Sequence, residues 1–180
     1  MNVCIFCGSS AGTNPVYAEV ARELAILLSN NKCSLVYGGG NIGLMGIVAD
    51  EMLKNGARVI GVIPDFLVQR EVAHRGLSEL IVVDSMHERK KRMADLTDFF
   101  IVLPGGMGTL DEMAEILTWK QLNLIDKPVG LLNVAGYFDP LIQQFRKMVN
   151  DGFLNENNLL SVKISDNAAE LITLLGVVAF

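Results

Sequence analysis

The residues of this chain best suited to chemistry are two charged side chains, Arg89 and Glu112, and three glycines just ahead of the second. The glycines stand in Pro104-Gly105-Gly106-Met107-Gly108-Thr109-Leu110-Asp111-Glu112, directly after the apolar run Phe99-Phe100-Ile101-Val102-Leu103. Aromatic and β-branched residues favour a strand there, and a helical pattern opens at Thr109. Glycines let the backbone approach a bound group closely. The N–H groups that begin the next helix then make an anion site. A phosphate is the natural occupant, with the Glu112 carboxylate one turn into the helix. That combination points to a phosphorylated substrate with a carboxylate beside the reacting centre. A second reading needs no chemistry: Thr109-x-x-Glu112 matches a capping box, in which the carboxylate only satisfies a backbone amide.

A helix dipole contributes only ~0.3–2 kcal/mol to holding an anion, whereas micromolar binding needs about 8 kcal/mol. A cation must therefore assist, and Arg89-Lys90-Lys91-Arg92 offers four. Helical phasing at 100° per residue separates them. Arg89, Lys90, Met93, Leu96 and Thr97 cluster around Met86 on the apolar, inward face. Glu88, Lys91, Arg92 and Asp95 fall opposite, where Glu88–Arg92 and Lys91–Asp95 are spaced for i,i+4 ion pairs. An inward guanidinium without a partner is costly, so Arg89 must meet an anion, either a protein carboxylate or a ligand phosphate.

Strand and helix alternate to position these groups. The sequence predicts strands at about 2–6, 33–37, 58–63, 80–84, 98–103 and 128–132, with a last one near 160–165. Helical patterns occupy about 15–30, 43–55, 86–97, 109–123, 138–151 and 167–175, and Asn14-Pro15 reads as the start of the first. The least regular segment, 64–79, has room for a short helix. Strands that are continuously apolar, such as Val59-Ile60-Gly61-Val62-Ile63, belong in a parallel sheet covered on both faces. The expected fold is a Rossmann-like, doubly wound, three-layer α/β/α arrangement in one domain over 1–180, with ligands at the carboxyl ends of the strands.

Two further turns reach that edge. Gly38, Gly40 and Gly43 satisfy the dinucleotide fingerprint, but they follow the second strand rather than the first, and no second domain remains for a hydride acceptor. They make either a tight strand-to-helix turn or, through Gly39 and Gly40, a close approach to a ribose or base. Cys7-Gly8-Ser9-Ser10 adds small hydroxyls, Ser9 among them. Cys4 and Cys7 share a Cys-x-x-Cys spacing, but Cys4 lies inside a strand and residues i and i+3 of a strand face opposite ways. Buried thiols are the better reading than a redox or metal site.

Composition narrows the partners. A net charge of −5 with pI near 5.0 argues against nucleic-acid backbone binding. No apolar run approaches the roughly 20 residues of a membrane span. The N-terminus reads as a core strand where a signal peptide would lie, and three cysteines fit a reducing cytoplasm. A hydrophobic fraction of 51% in 180 residues leaves apolar surface for a subunit interface. In the 109–123 helix, Leu110, Met113, Ile116 and Leu117 share one arc while Trp119 and Leu122 lie off it, which predicts a two-fold homodimer or a larger even assembly.

Tyr37-Gly38-Gly39-Gly40, Met86-His87-Glu88-Arg89-Lys90 and Pro104 through Glu112 together resemble the signature of the LOG family, from Val3 to about Phe153. These are the cytokinin riboside 5′-monophosphate phosphoribohydrolases, long mislabelled as lysine decarboxylases. The resemblance implies a Rossmann-like homodimer, working without a cofactor. It hydrolyses N6-substituted adenosine monophosphates, and often AMP, to free base and ribose 5-phosphate. By position it implies Arg89 and Glu112 as the catalytic pair. Substrate contacts fall on Glu71, Arg89, Lys90, Gly106, Met107, Gly108, Thr109, Leu110, Asp111, Glu112 and Thr118, with Ser9, Gly39, Gly40 and Met86 beside them. Glu71 matches only in part, because Gln69 stands where the family has proline. A nucleotide carrier without turnover is the alternative on the same fold. A decarboxylase is disfavoured, since pyridoxal chemistry needs a Schiff-base lysine and its own cofactor pocket.

Overall fold

Successive side chains of a strand point to opposite faces, and the apolar runs here divide in that way between two cores. Val3 and Ile5 enter one core while Cys4 and Phe6 enter the other; Phe99 and Ile101 part from Phe100 and Val102 in the same manner. The computed structural model describes residues 1–68 and 73–177. Strands β1 (Asn2–Phe6), β2 (Ser34–Tyr37), β3 (Val59–Pro64), β4 (Glu79–Val83), β5 (Phe99–Val102), β6 (Val129–Leu132) and β7 (Val162–Ser165) form one sheet in the order β4-β3-β2-β1-β5-β6-β7. Every neighbouring pair is parallel.

Helices α1 (Val16–Asn30), α2 (Gly43–Lys54) and α8 (Ala168–Leu174) pack on one face. Helices α4 (Met86–Asp95), α5 (Met107–Gln121) and α6 (Asp139–Asn150) pack on the other. The Rossmann-like, doubly wound, three-layer fold expected from the sequence is the fold observed. Its strand order reverses between β1 and β5, which opens a crevice at their carboxyl ends. Among the described residues no helix is long and apolar enough to cross a membrane.

Some boundaries move. The irregular segment after β3 holds the four-residue helix α3 (Asp65–Val68), and Ala73 bridges Gly40 in antiparallel fashion. A short helix α7 (Glu156–Leu160), begun by Asn155 accepting from the Asn157 amide at 2.9 Å, precedes β7 and went unread in the sequence. Asn14 Oδ1 does accept from the Val16 amide, at 3.1 Å. The largest correction concerns α5. It opens at Met107 rather than Thr109, because Gly106 is already extended (φ −91°, ψ −153°) and serves as its N-cap.

Candidate active site

Helix α4 carries Arg89 into the crevice, and its own start is firmly fixed. Ser85 accepts from the Glu88 amide at 3.1 Å, while the Glu88 carboxylate accepts from the Asp84 amide at 3.0 Å. This is a variant of the capping box. Glu88 thus serves the helix start rather than pairing with Arg92, whereas the expected Lys91–Asp95 pair forms at 2.6 Å. One turn in, Arg89 is 5% exposed. Its Nε donates to the Val62 carbonyl at 3.0 Å and its Nη2 to the Gly38 carbonyl at 2.8 Å. Two backbone carbonyls therefore fix the plane of a group that has donors and no acceptor. A Cβ at position 38 would overlap that guanidinium, which is the reason for glycine there.

Helix α5 supplies the opposite wall. With Gly106 as N-cap, Thr109 is the third helical residue, 4% exposed, and no side chain caps the helix. The Thr109–Glu112 capping box therefore does not form. The amides of Met107, Gly108 and Thr109 have no carbonyl one turn earlier to accept them. They border a cavity of about 280 Å³ lined by Cys7, Gly8, Ser9, Met45, Leu67, Met86, Arg89, Gly106, Met107, Gly108, Thr109, Asp111 and Glu112. Of the residues expected from sequence, Ser9, Met86, Arg89, Gly106 to Thr109, Asp111 and Glu112 are thus brought together at one opening.

The charge of the pair is felt by the neighbouring thiols. Burial pushes the Cys4 thiol well above its ordinary range, Glu112 pushes it further, and Arg89 pulls it back. Cys7 is raised by burial and then by Glu112. Both are free thiols, and they pack into opposite cores. Burial and the carboxylate thus favour the neutral thiol at both, Cys4 in the core and Cys7 at the cavity wall.

Other expected residues lie elsewhere. Lys90 turns from the cavity to pair with Asp111 at 3.1 Å and Glu115 at 2.9 Å on α5. Burial works against its charge, but these carboxylates outweigh it and raise its pKa. Leu110 packs against the core between sheet and α5. Thr118 lines a separate, largely apolar cavity between α5, α6 and α7, with Leu117, Phe145, Met148 and Leu159. Gly39 and Gly40 are buried behind Arg89 and do not line the cavity; the carbonyl of their neighbour Gly38 holds the guanidinium. Glu71 lies outside the described residues.

The glycine fingerprint now has a mechanical explanation. The Leu44 and Met45 amides at the start of α2 donate to the Gly8 carbonyl at 3.0 and 3.3 Å. The donors that would hold a pyrophosphate in a dinucleotide enzyme are thus occupied by the chain itself. Gly43, at φ +62°, is needed because a Cβ there would overlap the Ser9–Ser10 backbone. Gly8, Met45 and Leu67 are cavity residues that the sequence reading did not single out. Gly8 had a signal in the small-residue turn after β1, and the other two had none.

The parallel sheet changes strand order at β1/β5, and the crevice there sets Arg89 on α4 against the glycine-rich start of α5, with Glu112 further along that same helix. The family model described as "possible lysine decarboxylase" matches residues 45–175. Over 170 residues and 94% of its length, the chain is 45% identical to the probable cytokinin riboside 5′-monophosphate phosphoribohydrolase LOGL1 of Oryza sativa subsp. japonica, covering 76% of that protein. It is 45% identical over the same span to cytokinin riboside 5′-monophosphate phosphoribohydrolase LOG1 of Arabidopsis thaliana, covering 80% of it.

The chain belongs to the LOG family, whose curated members are hydrolases. Among solved structures, the fold matches the molybdenum cofactor binding protein of Rippkaea orientalis with TM-score 0.71 and 23% identity, over 97% of this chain and 94% of that one. It also matches the molybdenum cofactor carrier protein of Chlamydomonas reinhardtii with TM-score 0.72 and 21% identity, over 97% and 95%. These two establish the shared fold.

Proposed function

We propose that the chain hydrolyses the N-glycosidic bond of cytokinin riboside 5′-monophosphates, and of AMP, to free base and ribose 5-phosphate. The observation that carries this reading is a single cavity with Arg89 and Glu112 on its wall beside the amides that begin α5. Cleavage of a ribosyl–adenine bond passes through an oxocarbenium-like transition state, and a nearby carboxylate stabilises the developing positive charge. Glu112 takes that role and orients or deprotonates the attacking water. Arg89, clamped by two carbonyls, fixes the nucleotide and the orientation of Glu112. The amides of the glycine loop hold the 5′-phosphate. Water supplies the hydroxyl on the anomeric carbon, and the base leaves with a proton.

The test is incubation with AMP and with N6-isopentenyladenosine 5′-monophosphate, following free base by chromatography. Release of adenine and of N6-isopentenyladenine is expected. Retention of bound nucleotide without release would make the protein a carrier, and lack of binding would refute the reading altogether.

The working form of this one-domain protein is a homodimer, in a reducing cytoplasm that suits three buried thiols. Trp119 is half-buried against its own core, so the apolar surface left for a partner lies on Leu122, Leu124 and Leu160, each more than half exposed. Thr118, on the separate cavity, then belongs to the site through the second subunit. Light scattering is expected to give about 39 kDa, twice the 19.6 kDa of the chain, or a multiple of it. Leu122→Asp, at an exposed position, should weaken the assembly without unfolding the protein. A fully active monomer at micromolar concentration would overturn the dimer.

A further inference from the structure

On the far side of the glycine loop, the crevice opens into a second cavity of about 320 Å³. Its walls include Ser9, Ser10, Tyr17, Gly105, Gly106 and Tyr137. Tyr137 follows β6 and belongs to none of the motifs read in the sequence. Its hydroxyl donates to the Gly105 carbonyl at 2.5 Å. The ring is held from several directions. A tight turn precedes it, with Ala135 at φ 52° and Gly136 at φ +69°. Asn133 braces that turn, accepting from the Phe138 amide at 2.7 Å and donating to Asp139 at 2.8 Å. The ring itself stands edge-on to Tyr17, with centroids 5.7 Å apart, and to Phe138 at 5.0 Å.

The Gly105 carbonyl and the Gly106 N–H belong to one rigid peptide unit, and the described peptides are all trans. When Tyr137 holds the carbonyl on its own side, the Gly106 N–H must point away, towards the Arg89–Glu112 side of the loop. Gly106 lines both cavities, together with Gly8 and Ser9, so its peptide lies at the boundary between them. This is also the peptide most in need of a restraint. It joins two glycines, so the torsions on either side of it have the widest choice; Gly105 packs closely on Thr109 and Gly8, but a Cβ at Gly106 would meet nothing within 4 Å.

We propose that Tyr137 is a positioning residue. By anchoring the Gly105 carbonyl from the opposite face, it aims the Gly106 amide at the phosphate of the substrate. This rests on the phosphoribohydrolase reading and assigns it a residue outside the active cavity. The amide is set before substrate arrives, so binding does not have to select one of two peptide orientations.

Tyr137→Phe removes the hydroxyl and keeps the ring contacts. Calorimetric titration with ribose 5-phosphate is expected to show Kd raised about tenfold, with adenine binding unchanged. The KM for AMP should rise by a similar factor, with kcat within about threefold of wild type. A general loss of structure would weaken both ligands and lower the melting temperature, which separates it from positioning. Gly106→Pro, which deletes the N–H, should reproduce the signature. In that background Tyr137→Phe should add less than about twofold, because the hydroxyl has no amide left to aim. Unchanged ribose 5-phosphate affinity in Tyr137→Phe, equal weakening of adenine, or full additivity with Gly106→Pro would overturn the proposal while leaving the hydrolase reading intact. Wild-type protein that binds neither AMP nor ribose 5-phosphate would overturn both.

Discussion

Glu112→Gln is expected to bind nucleoside monophosphate at close to wild-type affinity and to lose at least ~10²-fold in turnover. The amide has the same shape but cannot accept a proton or stabilise a cation. Because α5 takes Gly106 as its cap and leaves Thr109 inside the helix, no capping role of Glu112 would be lost. Single-turnover release of base from AMP, together with an equilibrium Kd, measures the two effects independently. Near wild-type hydrolysis by this variant would remove Glu112 from the mechanism.

Adenosine is expected to be a far poorer substrate than AMP, with kcat/KM lower by at least ~10²-fold, since a hydrogen bond to a charged group contributes about 1.5–3 kcal/mol and several amides would go unused. Met107, Gly108 and Thr109 open a fifteen-residue helix, where the amides lack intrahelical acceptors, and all three line the cavity. The penalty should fall on both kcat and KM, because anchoring the phosphate also places the anomeric carbon. Competition kinetics with the two substrates in one vessel give the ratio directly. Equal specificity constants would move the phosphate away from the glycine loop.

The fold and the inward setting of Arg89 were legible in the sequence for different reasons. Parallel strands buried on both faces leave unbroken apolar runs, and the runs read at about 2–6, 33–37 and 98–103 are the central strands β1, β2 and β5. Arg89 was legible because a charge on an apolar helical face contradicts the local pattern, and the contradiction is settled by carbonyls from β3 and from the turn after β2. Lys90 has the same signature at the level of phasing. Its partners, Asp111 and Glu115, lie on another helix, and periodicity within α4 carries no information about that helix. The start of α5 was misplaced by two residues because Thr109 is a good capping residue in isolation; only the packed loop shows that Gly106 is already extended. Tyr137 left no trace at all, since its role depends on a carbonyl thirty-two residues away along the chain.

The Lys90 bridge has a consequence for how the protein meets its ligand. Lys90 is the chain neighbour of Arg89, and Asp111 is the chain neighbour of Glu112, so the ion pair ties together the residues next to the guanidinium and the carboxylate. With Asp111 and Glu115 both partly open to solvent, the bridge adds little to overall stability. What it sets is alignment: sliding of α4 along α5 would have to break it before the spacing of guanidinium and carboxylate could change. The spacing of guanidinium and carboxylate is thus set at folding, before any ligand arrives.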